Sequence, residues 1–300
     1  MAYAVHFGAT MLACYLAAQV LIRSDWTWHS PRVAILCWQA VGLAMGLCAI
    51  GLPLALGVAP YARPVAASLV ALGRDLATRT LPAGIGGAQL LAVALGVVIT
   101  GALCASTLRS LLLAVRAQRR HRDLLALVAR ADPAAPGALV LDHPSAAAYC
   151  LPGVRPQVVV SAGTLDLLDS AELAAVLSHE RAHAQERHDL VILPFTALRH
   201  ALPWIGWIRR ANDRVALLVE MRADDKARDQ HTDVQLARAL RRFAAAGHVT
   251  PAGTLGAADQ DIEMRVHRLL TRRRSSPVLG PAALTVAACL VAMPVSLFLA

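Results

Sequence analysis

The sequence predicts a mainly α-helical membrane protein, with four transmembrane helices and a cytosolic α+β domain that holds a small β-sheet. Three observations carry this. Four long runs contain no Asp, Glu, Lys or Arg. Hydrophobic residues make up 57% of the chain and charged residues 16%, whereas a soluble domain carries about 25% charged residues. In the one long polar stretch, short β-branched segments bounded by proline and glycine precede a helix with its own N-terminal cap signal.

Taken in order, Met1 to Ile22 is uncharged and lacks the early positive charge of a signal peptide, so it is read as a first span. Arg23 to Arg32 is a short loop with Trp26 and Trp28 as interfacial anchors. Val33 to Ala62 is long enough for a second span, with Pro53 and two glycines, Gly51 and Gly57, at its far end. Arg63 to Gly87 is a mixed loop. Ala88 to Leu108 is a third span, rich in the small residues that let membrane helices approach closely. Val278 to Ala300 is the fourth.

Arginines crowd both ends of the polar region: Arg109, Arg116, Arg119, Arg120 and Arg122 at the start, and Arg265, Arg268, Arg272, Arg273 and Arg274 at the end. Arginine beside a span marks the cytosolic side. The expected layout is a three-span membrane domain (1–115), a cytosolic domain (116–277) and a fourth transmembrane helix (278–300), with both termini outside. The formal net charge of +9 is assigned to these topological arginines. No recognition motif accompanies it, and direct nucleic-acid binding is not expected. The six cysteines show no C-x-x-C spacing, which excludes a zinc ribbon or a disulfide framework; Cys150, the one outside an apolar run, reads as a buried structural thiol.

Within the polar region, Ala138 to Leu141 and Gln157 to Val160 read as short strands, and the second is expected to be a sheet edge able to align an extended substrate. Asp169-Ser170-Ala171-Glu172 has capping-box spacing and opens a helix expected to end near His188-Asp189. Leu190 to Ile208 is expected to form a helical hairpin or re-entrant piece, and a helical pattern resumes at Ala211. Further helices follow near 233–246 and 259–271, separated by a Pro/Gly loop at 250–256.

The capped helix carries His179-Glu180-Arg181-Ala182-His183, an H-E-x-x-H pattern. At about 100° per residue the two histidines share one face and can grip one metal ion, with Glu180 beside them as a general base. A catalytic zinc site takes three protein ligands and keeps one position open. Glu220, on a later predicted helix, is the best candidate for the third, and Asp224, one turn on, can accept a hydrogen bond from a ligand histidine and fix its tautomer. Asp225 reads as solvated. Asp189 reads as ordering the end of the metal helix. His188, His200, His231, His248 and His267 have no partner at ligand spacing and are read as ordinary. Tyr149, Arg222 and His188 are the candidates for an oxyanion donor, each more readily explained as structural.

Ala148-Tyr149-Cys150-Leu151-Pro152-Gly153, the Val158–Ser161 strand with Gly163, Leu165 and Leu168, the segment Leu177 to His183 with Arg187-His188-Asp189, and Glu220-x-x-Ala223-Asp224 together resemble the BlaR/MecR family of integral-membrane zinc metallopeptidases of the gluzincin type. The resemblance covers the whole chain in architecture and is specific within about 148–226. It implies zinc bound by His179, His183 and Glu220, Glu180 as catalytic base, a bacterial inner-membrane location with the active site facing the cytosol, and a cytosolic protein substrate, in that family a BlaI/MecI-like winged-helix repressor. The lipid bilayer is the other expected partner, and a homodimer is left open. The family's receptors carry a penicillin-binding sensor after the fourth span; this sequence stops at Ala300, so β-lactam sensing is not expected to carry over. Two alternatives stand beside this reading: an HtpX-like quality-control protease, which shares both motifs, and a non-catalytic membrane signalling scaffold, against which the intact Glu180 argues.

Overall fold

The computed structural model describes residues 1–153, 156–246, 255–271 and 277–299, with the backbone alone for 255–260. The expected arginines 272–274, His248 and most of the 250–256 loop lie outside the described residues. Contacts divide the chain into two compact units, residues 1–108 with 275–300 and residues 109–274.

The first unit is helical. α1 (Ala2–Arg23), the short α2 (Trp26–His29) and α3 (Pro31–Gly57) are followed by a 3-10 turn, by α4 (Val65–Thr78) and by the start of α5 (Gly87–Val128). α1 packs along α3, and the last helix of the chain packs on both of them. Phe7 of α1 is fully buried, and its ring fills the space a side chain at Gly51 of α3 would need, so the glycine is what lets these helices close. The Arg23–Arg32 loop contains the helix α2, and α4 gives the expected Arg63–Gly87 loop a helical core.

Among the described residues, four helices are long and apolar enough to cross a membrane: α1, α3, α5 and the C-terminal helix. They keep apolar side chains such as Leu12, Leu16, Leu43, Val97, Val98 and Val286 exposed. In water so much exposed apolar surface would be an association hazard; it suggests a membrane protein. The third of these helices differs from the expected span. It does not stop at Leu108 but runs on to Val128 as one helix, because arginine, alanine and leucine beyond Leu108 are all good helix formers.

The second unit holds the end of α5 and a four-stranded sheet in the order β1 (Ala129–Ala131), β2 (Ala138–Leu141), β4 (Gln157–Ser161), β3 (Ala148–Leu151). β1 and β2 are antiparallel, β2 and β4 parallel, β3 and β4 antiparallel. The expectation of an edge strand at Gln157–Val160 is therefore corrected. β4 is paired on both sides, Val159 standing opposite Leu139 on one flank and Tyr149 on the other. Its run of three valines fits a strand buried on both faces: Val158 and Val160 join the core with Leu173, Val176, Leu177 and Phe243, while Val159 packs with Leu125 and Leu151 on the opposite side. The free edge near the helices is β3.

Helices α6 (Ala162–Leu167), α7 (Ser170–Gln185), α8 (His188–Ala201), α9 (Gly206–Ala227), α10 (Asp233–Ala245) and α11 (Leu255–Leu270) complete this unit, and α12 (Leu279–Leu299) is the C-terminal helix. The stretch expected as a hairpin or re-entrant piece, Leu190–Ile208, is mostly the single helix α8, which packs across a short turn against α9, a helix that begins at Gly206 and not at Ala211. α11 begins at Leu255, inside the stretch expected as loop. α7 ends three residues short of His188: Arg187 adopts a left-handed conformation (φ 51°) and breaks the helix. His188 and Asp189 therefore open α8, where Asp189 lies 3.3 Å from the Arg187 guanidinium, instead of ordering the end of α7.

Candidate metal centre

α7 starts where its cap fixes it. Asp169 Oδ1 accepts from the Glu172 N–H at 2.8 Å, and Glu172 Oε2 accepts from the Asp169 N–H at 3.1 Å. Such a cap contributes about 1 kcal/mol. Arg242 of α10 holds the otherwise buried Glu172 carboxylate at 2.9 Å. This start sets the phase of the helix, so His179 and His183 both turn toward α9, which packs against α7.

The side chains of His179, His183 and Glu220 converge, one ligand atom from each lying within 4.8 Å of the others. The two Nε2 atoms are 3.1 Å apart. Glu220 Oε2 lies 3.3 Å from His179 Nε2, and Glu220 Oε1 lies 3.5 Å from His183 Nε2. Donors about 2.05 Å from a tetrahedrally coordinated zinc sit about 3.3 Å from one another, so these separations fit one zinc-sized ion. Glu220 is 39% exposed at its side chain and can be reached from the cleft it lines.

That cleft, about 540 Å³, is also lined by Glu180 and His183 of α7 and by Tyr149 and Cys150 of β3. Burial pushes the Glu180 carboxyl up to about 7, although its position beside His179 and a hydrogen bond from the Cys150 backbone N–H both oppose the shift. A carboxylate at that value can both take and return a proton near neutrality. Cys150 is half-buried and lines the cleft instead of filling a core; burial, with the negative charges of Glu180 and Asp189, pushes its thiol up to about 11.

Each histidine has its own support. His179 Nδ1 lies 3.0 Å from Asp224 Oδ1, an ion-pair contact without hydrogen-bond alignment. Asp224 is fully buried and is gripped by Arg265 of α11 through Nε at 2.9 Å and Nη2 at 2.7 Å. The third nitrogen of the same guanidinium, Nη1, lies 3.0 Å from Glu220 Oε2. One buried arginine thus holds both of these carboxylates. Burial opposes ionisation of Glu220 and Asp224, yet Arg265 and His179 hold both well below the usual carboxylate range. Burial likewise opposes charge on His179, but its contacts with Asp224 and Glu220 overcome this and raise it to about 10. A proton on His179 Nε2 then occupies the place where a cation would sit. Burial, together with the positive charge on His179, lowers His183 to about 4 despite the pull of Glu220.

Behind His183 stands His188, their Nδ1 atoms 3.1 Å apart. His188 Nε2 lies 3.4 Å from Glu186 Oε2, and Arg222 donates to both oxygens of Glu186 at 2.8 and 2.5 Å.

The structure thus brings together His179, Glu180, His183, Glu220 and Asp224. It corrects two expectations nearby. Asp225 is not solvated, since Arg268 donates to it at 2.6 and 2.8 Å. His188 is not ordinary, because it is buried against His183. The three oxyanion candidates are engaged elsewhere: Tyr149 with His121 Nε2 at 2.7 Å, Arg222 with Glu186, and His188 with His183. Arg265 was read only as a topological charge. Its signal was its place among the apolar residues Ile262, Val266 and Leu269 at helical spacing. His188 had no comparable signal.

Residues 114–224 match the family model of Peptidase family M48. No curated protein and no solved structure matches the chain. The match supports a metallopeptidase domain, in a family that is generally zinc-dependent. It takes in the sheet and helices α6 to α8 and ends on Asp224 within α9.

Proposed function

We propose that this chain is a membrane-embedded zinc endopeptidase in bacterial signalling, and that it hydrolyses a cytosolic protein, a winged-helix repressor of the BlaI/MecI kind. The observation that carries the enzymatic part is the convergence of His179, His183 and Glu220 in a cleft that Glu180 also lines. In this reading His179, His183 and Glu220 hold the zinc through Nε2, Nε2 and the carboxylate. Bound zinc supplies Lewis-acid polarisation of the scissile carbonyl and makes water a better nucleophile.

The chain's own residues do the rest. Glu180, raised toward neutrality, accepts the proton of the attacking water and passes it to the leaving amine. Asp224 keeps the His179 ring turned so that Nε2 faces the cleft. The free edge of β3 lies beside Glu180, as the Cys150 N–H contact indicates. It offers backbone donors and acceptors with which an extended substrate can pair as an added strand, the role first expected of Gln157–Val160. The location proposed is the bacterial inner membrane, with the cleft on the cytosolic side.

A second reading, an HtpX-like quality-control peptidase, is favoured by the M48 match. Purified protein in detergent, offered a winged-helix repressor and a panel of unfolded membrane proteins, separates the two. Discrete cleavage of the repressor alone supports signalling; indiscriminate cleavage of unfolded chains supports quality control. In either assay Glu180→Gln is expected to lower the rate by about 10²- to 10⁴-fold while zinc stays bound. A Glu180→Gln variant that cleaves normally would sink both readings.

A further inference from the structure

We infer that His188 is a positioning residue for the metal centre: it accepts a hydrogen bond from His183 Nδ1 and so keeps the His183 Nε2 lone pair bare and aimed at the metal. The inference rests on the zinc reading above and adds residues that H-E-x-x-H spacing does not include.

The argument is a count of donors. For His183 to ligate through Nε2, its single ring proton must sit on Nδ1. Free neutral histidine favours the opposite tautomer, with the proton on Nε2. The partner on the Nδ1 side must therefore be an acceptor, and the group within reach is His188 Nδ1 at 3.1 Å. His188 can accept there only if its own proton is on Nε2, and that buried nitrogen lies 3.4 Å from the Glu186 carboxylate, an ion-pair contact without hydrogen-bond alignment. Arg222 grips that carboxylate with two donors and keeps it ionised, burial notwithstanding. The two imidazole links therefore run from His183 through His188 to Glu186, where Arg222 donates from the other side, and each ring has one arrangement of protons that satisfies them.

The backbone is built for this contact. Arg187 takes a left-handed conformation at φ 51°, a region that non-glycine residues seldom adopt. This ends α7 and folds the next residue back beside it. His188 is consequently buried at 3% exposure, its ring meeting the His183 ring edge-to-face with centroids 4.8 Å apart. Glu186, Arg187 and His188 thus form a sharp corner whose product is one buried acceptor behind one ligand.

The test compares His188→Phe with His188→Asn in the full chain. Phenylalanine keeps the shape and removes the acceptor; the asparagine amide oxygen can stand near the position of Nδ1. Zinc affinity is read by competition with a chromophoric chelator, and the coordination geometry by the visible spectrum of the cobalt-loaded protein. His188→Phe should bind zinc about 10- to 100-fold more weakly with an altered cobalt spectrum, and His188→Asn should recover most of the loss. Equal affinities for the parent and His188→Phe, or an Asn variant as weak as Phe, would overturn the inference while leaving the zinc reading intact. A parent that binds no zinc would remove both. Should His188→Phe fail to fold, ring ¹⁵N shifts of the metal-free parent decide: a proton on His183 Nδ1 supports the inference, and one on Nε2 overturns it.

Discussion

His179 and His183 sit one turn apart on the same helix, yet they are supported by opposite means. Behind His179 is a fully ionic pair, Asp224 and Arg265, exposed by 0% and 8%. Behind His183 is a neutral ring, His188, and the charges come only afterwards, on the more open Glu186 and Arg222. The difference shows where rigidity is concentrated. A buried ion pair is weak evidence for stability against an apolar alternative, but removing one partner strands the other. The Asp224–Arg265 side is therefore expected to be intolerant, because Arg265 serves the Glu220 carboxylate as well. The His188 side should tune the site without holding the fold.

The sharpest way to break this contrast is Arg265→Met. It leaves the fully buried Asp224 and the part-exposed Glu220 with only the protonated His179 beside them and should destabilise the metal-free protein by about 3 kcal/mol, read from urea unfolding of the full chain in detergent. Zinc should restore part of that loss. A variant as stable as the parent would mean that the ionic side is no stiffer than the neutral one. Asp224→Asn should cost less in folding, because Arg265 still pairs with Glu220, but it should weaken zinc binding by about 10- to 100-fold, read by chelator competition.

The two histidines also predict a proton count. His179 is raised from 6.5 to about 10 and His183 lowered to about 4, so near neutrality the metal-free pair holds one proton, on His179. Ligation requires that proton to leave. Zinc binding at pH 7 should release about one proton from His179 and a further fraction from Glu180, and affinity should climb by roughly tenfold per pH unit near neutrality and level off as pH passes about 10. The stability of the metal-free protein should move the other way. A raised histidine contributes fully below 6.5 and loses that contribution as pH passes about 10. Calorimetry in buffers of different ionisation enthalpy measures the release. The smallest effect is expected at the pair next door. Arg268→Ala removes a partner of Asp225, whose side chain is 23% exposed, and should cost no more than about 1 kcal/mol, with zinc affinity unchanged.

These contrasts also explain what could be read from the sequence. Features with local causes were legible: the Asp169–Glu172 cap, the one-turn spacing of His179 and His183, the valines of β4, and the four apolar helices. Strand β3 was not, because Ala148-Tyr149-Cys150-Leu151 has no β-branched residue and is a strand only through its pairing with β4. The edge role moved from β4 to β3 for the same reason, since strand order is a tertiary fact. The end of α7 was hidden because its left-handed residue is Arg187, not the glycine or asparagine that usually marks such a break. Arg265 meets Asp224 across 41 residues of chain, and that pairing leaves no trace in local spacing beyond an arginine on an apolar stripe.

The most direct test of the account is the metal itself. Full-length protein purified without added zinc should hold about one zinc per chain, and Glu220→Ala should lose it while retaining its helical content. Protein that neither carries nor takes up zinc, or a Glu220→Ala variant that holds it as tightly as the parent, would contradict the claim that His179, His183 and Glu220 form one metal centre.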